Sequence, residues 1–278
     1  MRANREHADG AIECLRAQCA AVGFDLEGAD SSLVERMRLL AEHSKTFDDA
    51  KRMAAFAERV FAHYADAKPG RAFDEVERQT VVLACLFSDV GKTGPAEAGP
   101  DDRRLVVETF AIENVRDSAQ SLETFLRTYF PRDAESRIAR FRALGLDPAM
   151  SIRAFWDLHS GWTLGIAEAA GLPLEAVAAA ATHHLLDDVN PRAIVDEDDR
   201  FRRHFGANPA FDRAEKLVIL LDKYDAARRR GHLSHERAIA WLRERIDGSS
   251  RFRDDEEFLE LLADVDAVLG SSADVISD

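Results

Sequence analysis

Residues 73–89 read Phe73-Asp-Glu-Val-Glu-Arg-Gln-Thr-Val81-Val-Leu-Ala-Cys-Leu-Phe87-Ser-Asp89. The first half is polar, and from Val81 to Phe87 every position is apolar. A segment of that kind is a helix that starts at the surface and ends inside a core. Its neighbours follow the same period. Upstream, residues 48–67 place Met53, Phe56, Ala57, Val60, Phe61 and Tyr64 on one helical stripe, and Lys68-Pro-Gly-Arg71 breaks the chain after it. Residues 30–43 carry a capping Asp30 or Ser31 with Leu33, Met37, Leu39 and Leu40 behind it, and residues 11–22 form a first helix ended around Gly23.

Downstream, residues 94–102 are rich in turn formers. Helices are predicted over 103–129, with a break near Asp117, and over 132–144, 151–170, 173–186, 213–230, 233–246 and 254–269. Residues 187–212 are acidic and aperiodic, either a lid or a long surface connection. The Ser/Asp-rich tail from Gly270 is expected to be disordered. Strand signals are scarce, so the fold class is all-α.

The 278 residues suffice for a sizeable core, and 46% hydrophobic with 32% charged residues is the composition of a globular protein. A net charge of -14 repels nucleic acid polymers and anionic membranes, though a cleft with local Lys and Arg can still take a small anion. Cys14, Cys19 and Cys85 have no paired spacing, which argues against a disulfide framework or a thiolate zinc site. Met1 to Glu13 is polar and no apolar run approaches membrane-spanning length, so a cytoplasmic location is expected.

The adjacent pair His183-His184 ends an alanine-rich segment, Ala178 to Ala181. Two imidazoles about 100° apart on a helix reach one point only in the sector between them, which suits a metal ion. Two half-exposed residues at a frayed helix end are the alternative. Asp89 and Lys92, three apart, sit at the polar end of the buried helix 73–89. His159 lies among Phe155, Trp156 and Trp162, and Asp222 interrupts an apolar run from Val218 to Leu221. The Gly91-Lys92-Thr93 tail is not a P-loop, because position 86 is leucine and no strand precedes it. Carboxylates with imidazoles and no thiolates suit a divalent Mn, Fe, Ni or Zn ion, and Asp89 with His159, His183 and His184 would make a complete ligand set.

These residues resemble the HD superfamily of metal-dependent phosphohydrolases, closest to its HD-GYP branch, over about residues 45–246. Leu86-Phe-Ser-Asp89-Val-Gly-Lys92 is similar to LLHDIGK. His159 stands 24 residues before His183, the family spacing to the double histidine, and His183-His184 with Asp188 is similar to HHExxDG. Leu220-Leu-Asp222-Lys-Tyr-Asp225-Ala226 is similar to VADxxDAL. The departures fall together. Ser88 replaces the histidine of the HD doublet, Asp49 stands where an earlier histidine ligand would lie, and Val189-Asn190-Pro191 replaces the GYP element.

The resemblance implies an HD-like helical bundle at 45–246 with a helical insertion at about 95–150, accessory helices at 1–44 and a C-terminal helix with its tail at 247–278. It implies metal ligation by Asp89, His159, His183, His184 and Asp222, with Asp49 as a further ligand, and one metal position rather than two. It implies catalysis by Asp89 and Lys92, and a small phosphoester ligand of the nucleotide or cyclic dinucleotide kind. The paired replacements at Ser88 and Asp49 also raise a second expectation, a catalytically degenerate, metal-stabilised sensor or protein-binding module with a protein partner.

Overall fold

Twelve α-helices and no strand are found among the described residues of the computed structural model, namely 2–113, 115–197 and 209–270. In order they are α1 (Arg2–Ala21), α2 (Ser31–His43), α3 (Thr46–Ala67), α4 (Glu75–Phe87), α5 (Pro100–Phe110), α6 (Leu122–Tyr129), α7 (Ala134–Ala143), α8 (Ile152–Ala169), α9 (Leu174–Ala181), α10 (Pro209–Arg229), α11 (His235–Asp247) and α12 (Glu256–Gly270). The all-α expectation holds. No helix among the described residues is long and apolar enough to cross a membrane.

Local chemistry explains the starts of the central helices. Asp74 accepts the Glu77 N–H at 2.9 Å while the Glu77 carboxylate takes the Asp74 N–H at 2.9 Å, a reciprocal cap on α4. Asp30 accepts from Ser32 N at 2.8 Å at the head of α2, and Ser151 accepts from Ala154 N at 3.1 Å at the head of α8. Once started, α4 runs into the centre, where Val81 to Phe87 are all buried. It packs against α3, α9 and α10, and α9 packs against α8 and α10. The main core also takes in Ile12 and Leu15 of α1, Leu33 and Met37 of α2, and Phe258 and Val265 of α12.

A second, smaller core lies under α5, α6 and α7, where Val106, Phe125, Ile138 and Phe141 close on Phe155 of α8. These three helices occupy the region of the expected insertion. The predicted helix 103–129 is two, α5 and α6, parted by residues 111–121 rather than by a point break.

Two other differences have physical causes. α1 begins at Arg2, since Ala8, Ala11 and Ile12 already pack into the core and extend the apolar face upstream. α9 stops at Ala181 and not at Leu186: the Thr182 hydroxyl donates to Ala178 O at 2.7 Å, and Thr182 and His184 leave helical geometry at ψ 11° and 13°. The histidine pair thus stands in a turn. Within 187–212, residues 191–193 form a 3-10 turn with Ile194 and Val195 buried behind it, while residues 198–208 and the tail 271–278 lie outside the described residues.

Candidate metal centre

Asp89 is placed by the way the chain leaves α4. After the cap at Ser88 it makes a 3-10 turn, Val90–Thr93, that lies flat against α8. The close approach needs a glycine: a Cβ on Gly91 would stand 2.0 Å from His159 O and 2.6 Å from Thr163 N. Thr163 fastens the turn from the other side, donating its hydroxyl to Ser88 O at 2.7 Å and accepting the Gly91 N–H at 3.0 Å. Because Thr163 is four residues from His159, both project from one face of α8, so the residue that anchors the turn also sets Asp89 against the imidazole. Arg36 of α2 closes the far end with its guanidinium on Thr93 Oγ1 at 2.7 Å, Pro95 O at 2.9 Å and Ala96 O at 2.7 Å.

His183 enters from α9. Ala178 to Ala181 are fully buried, and their small side chains let the helix end come close to α4, α8 and α10. His183 Nδ1 donates to Ala180 O at 2.7 Å, and His159 Nδ1 donates to Trp156 O. A carbonyl cannot donate in return, so when either ring is neutral its hydrogen is on Nδ1 and Nε2 carries a bare lone pair. The two Nε2 atoms are 3.1 Å apart, and Asp89 Oδ1 lies 3.2 Å from one and 3.7 Å from the other. Burial pushes the His183 imidazole down to about 4, leaving it uncharged at neutral pH. Burial alone would raise the Asp89 carboxyl, but Lys92, whose ammonium is 2.7 Å from Asp89 Oδ2, holds it well below the usual range. With both rings neutral, these three acceptors converge with no hydrogen to share, an arrangement that a cation relieves.

His184 completes a cluster in which the three histidines offer ligand atoms within 4.8 Å of one another. Its ring is 4.1 Å from that of His183 and 5.0 Å from that of His159. Its Nδ1 faces outward, accepting from Lys223 and lying 3.4 Å from Asp187 and 3.8 Å from Asp222. Burial, then Lys223, keeps this imidazole far below its ordinary value.

Asp222, expected as a metal ligand, is bound by the Lys223 ammonium at 2.9 Å. Asp49 is held between Arg52 at 2.6 Å and Arg229, and burial raises its carboxyl to about 6 against the pull of Arg229. The sequence-predicted residues Asp89, Lys92, His159, His183 and His184 thus come together in one cluster. Asp222 stands at its edge, and Asp49 belongs to a neighbouring ionic network with Asp225, which Arg52 also binds.

A cavity of about 360 Å³ opens beside the cluster. His159, His184, Lys92 and Asp49 line it together with Arg229 and Arg230, and Phe110, Ile112 and Val115 come from the second core. Sequence reading missed Lys223, Thr163 and Arg229. The signal for Lys223 was present, a lysine beside Asp222 in an apolar run, whereas Thr163 becomes legible only when α8 is laid against the turn. Compared with family models, with curated proteins and with solved structures, the chain finds no match.

Proposed function

We propose that the protein is a metal-dependent phosphoester hydrolase of the HD type, acting on a small phosphorylated ligand of the nucleotide class. The observation that carries this reading is the convergence of Asp89, His159 and His183 Nε2 with both Nδ1 hydrogens given to backbone carbonyls. Such a donor set, oxygen with imidazole nitrogen and no sulfur, fits Mn, Fe, Ni or Zn. The carbonyl contacts fix ring orientation, as outer partners do in metal sites. His184, whose Nδ1 accepts from Lys223, keeps its hydrogen on Nε2 and stands beside this ligand set.

A divalent ion there would acidify a bound water and polarise a phosphoryl oxygen. The chain's own residues supply the rest. Lys92 lines the cavity beside Asp89 and neutralises phosphate charge as it develops. Arg229 and Arg230 attract and orient the anion, overcoming locally the net charge of -14. Phe110 and Trp156 give the apolar wall that a ligand carrying a flat organic group needs, and a cavity of about 360 Å³ suits a mononucleotide better than a cyclic dinucleotide.

A second reading, a degenerate module that binds ligand or partner without turnover, is favoured by one observation: Asp49 and Asp222 are already engaged by Arg52, Arg229 and Lys223. Hydrolysis of a phosphoester panel by metal-loaded protein separates the two. The hydrolase reading expects turnover that falls at least about 100-fold in Asp89→Ala together with metal content. Metal binding and ligand binding without turnover would favour the module, and turnover unaffected by Asp89→Ala would remove the site.

A further inference from the structure

We propose that the ammonium of Lys223 permanently occupies the position of a second divalent cation, so that the centre is mononuclear by construction. The inference rests on the metal reading above and concerns a different set of atoms. The Lys223 side chain is 4% exposed, which for an ammonium is costly unless several acceptors surround it. Three do: Asp222 Oδ2 at 2.9 Å, Asp187 Oδ2 at 2.9 Å and His184 Nδ1. Two carboxylates and an imidazole nitrogen are also a ligand set for a divalent ion. Here they are spent on a cation that the chain itself carries. Being tethered, the ammonium is present at an effective concentration that a free ion must outcompete while facing its positive charge at contact range.

The surrounding charges agree. Asp187 also receives Arg245, and Asp49, the other carboxylate near the cluster, is held by Arg52 and Arg229. Ser88 offers only a hydroxyl, and its carbonyl is already taken by Thr163. Every carboxylate in the vicinity other than Asp89 is thereby answered by a protein cation, while Asp89 shares its second oxygen with Lys92 and turns Oδ1 to the two histidines. The geometry leaves one metal position, at Asp89, His159 and His183.

Titration of metal-free protein with manganese(II), followed by calorimetry and by elemental analysis after desalting, tests this without any assay of activity. Wild-type protein and Lys223→Arg should take up one ion per chain even at millimolar excess. Lys223→Met, which keeps the aliphatic stem but removes the charge, should take up two, and Lys223→Met with Asp222→Asn should return to one. A second ion bound by wild type, or a single ion bound by folded Lys223→Met, overturns the proposal while leaving the centre at Asp89 standing. The wild-type titration needs no variant to fold. No ion bound by wild type would remove both the centre and this inference.

Discussion

His183 concentrates the energetics of the site in one side chain. It is fully buried, uncharged at neutral pH and tied through Nδ1 to Ala180 O. Its folded value of about 4 lies below the ordinary 6.5, so the unfolded chain binds a proton in that window and the folded chain does not. Stability from this group is fully present above about pH 6.5 and is lost as pH falls to about 4, on the order of 3 kcal/mol. His184, depressed in the same direction, adds to the loss. Asp49 opposes it: raised from 3.8 to about 6, it stabilises the fold at low pH, an effect that fades as pH rises through about 6. Denaturant unfolding of metal-free protein should therefore show lower stability near pH 5 than near pH 7, with a steeper fall in Asp49→Asn, where the opposing group is gone. A flat profile would mean that His183 is hydrated or paired otherwise.

At the scale of elements, the turn Val90–Thr93 against α8 decides whether the cluster exists. Gly91→Ala brings a methyl to 2.0 Å from His159 O, and because the obstacle is backbone it cannot swing away. The variant should lose at least about 1–3 kcal/mol and most of its metal affinity together, read by melting temperature and by metal titration. Loss of stability with metal affinity intact would separate the turn from the site. This joint was only partly legible in the sequence. Periodicity reveals helices because each reports its own buried face, and the apolar run Val81 to Phe87 sufficed to place α4 inside. Asp89, His159 and His183 were legible as polar residues in apolar settings. The end of α9 was not, since Thr182 breaks it through a hydroxyl bond to Ala178 O that a helix-compatible sequence also permits. The role of Thr163 was hidden because it arises between elements far apart in the chain, whereas Lys223 showed as a lysine beside Asp222 but not as the partner of His184.

The whole molecule is built on two cores, a large one around α4, α9 and α10 and a small one under α5, α6 and α7, joined along α8. The Asp89–histidine cluster is assembled from the large core, while Phe110, Ile112 and Val115 bring the small core to the cavity wall. Phe110 also packs edge-on against the His159 ring, with centroids 5.9 Å apart. Damage to the small core should then alter ligand binding more than metal binding. Phe125→Ala, which empties a fully buried site, should cost about 3–5 kcal/mol and speed amide exchange in α6 and α7 ahead of α4 and α9, with metal content unchanged. One point in space decides between a metal centre and a plain polar cluster, the meeting of Asp89, His159 and His183. Anomalous diffraction from crystals grown with manganese(II), recorded near its absorption edge, tests that point most directly. One strong peak within bonding distance of Asp89 Oδ1 and both Nε2 atoms is the predicted result, and an ordered cluster with no peak there, under metal excess, would contradict it.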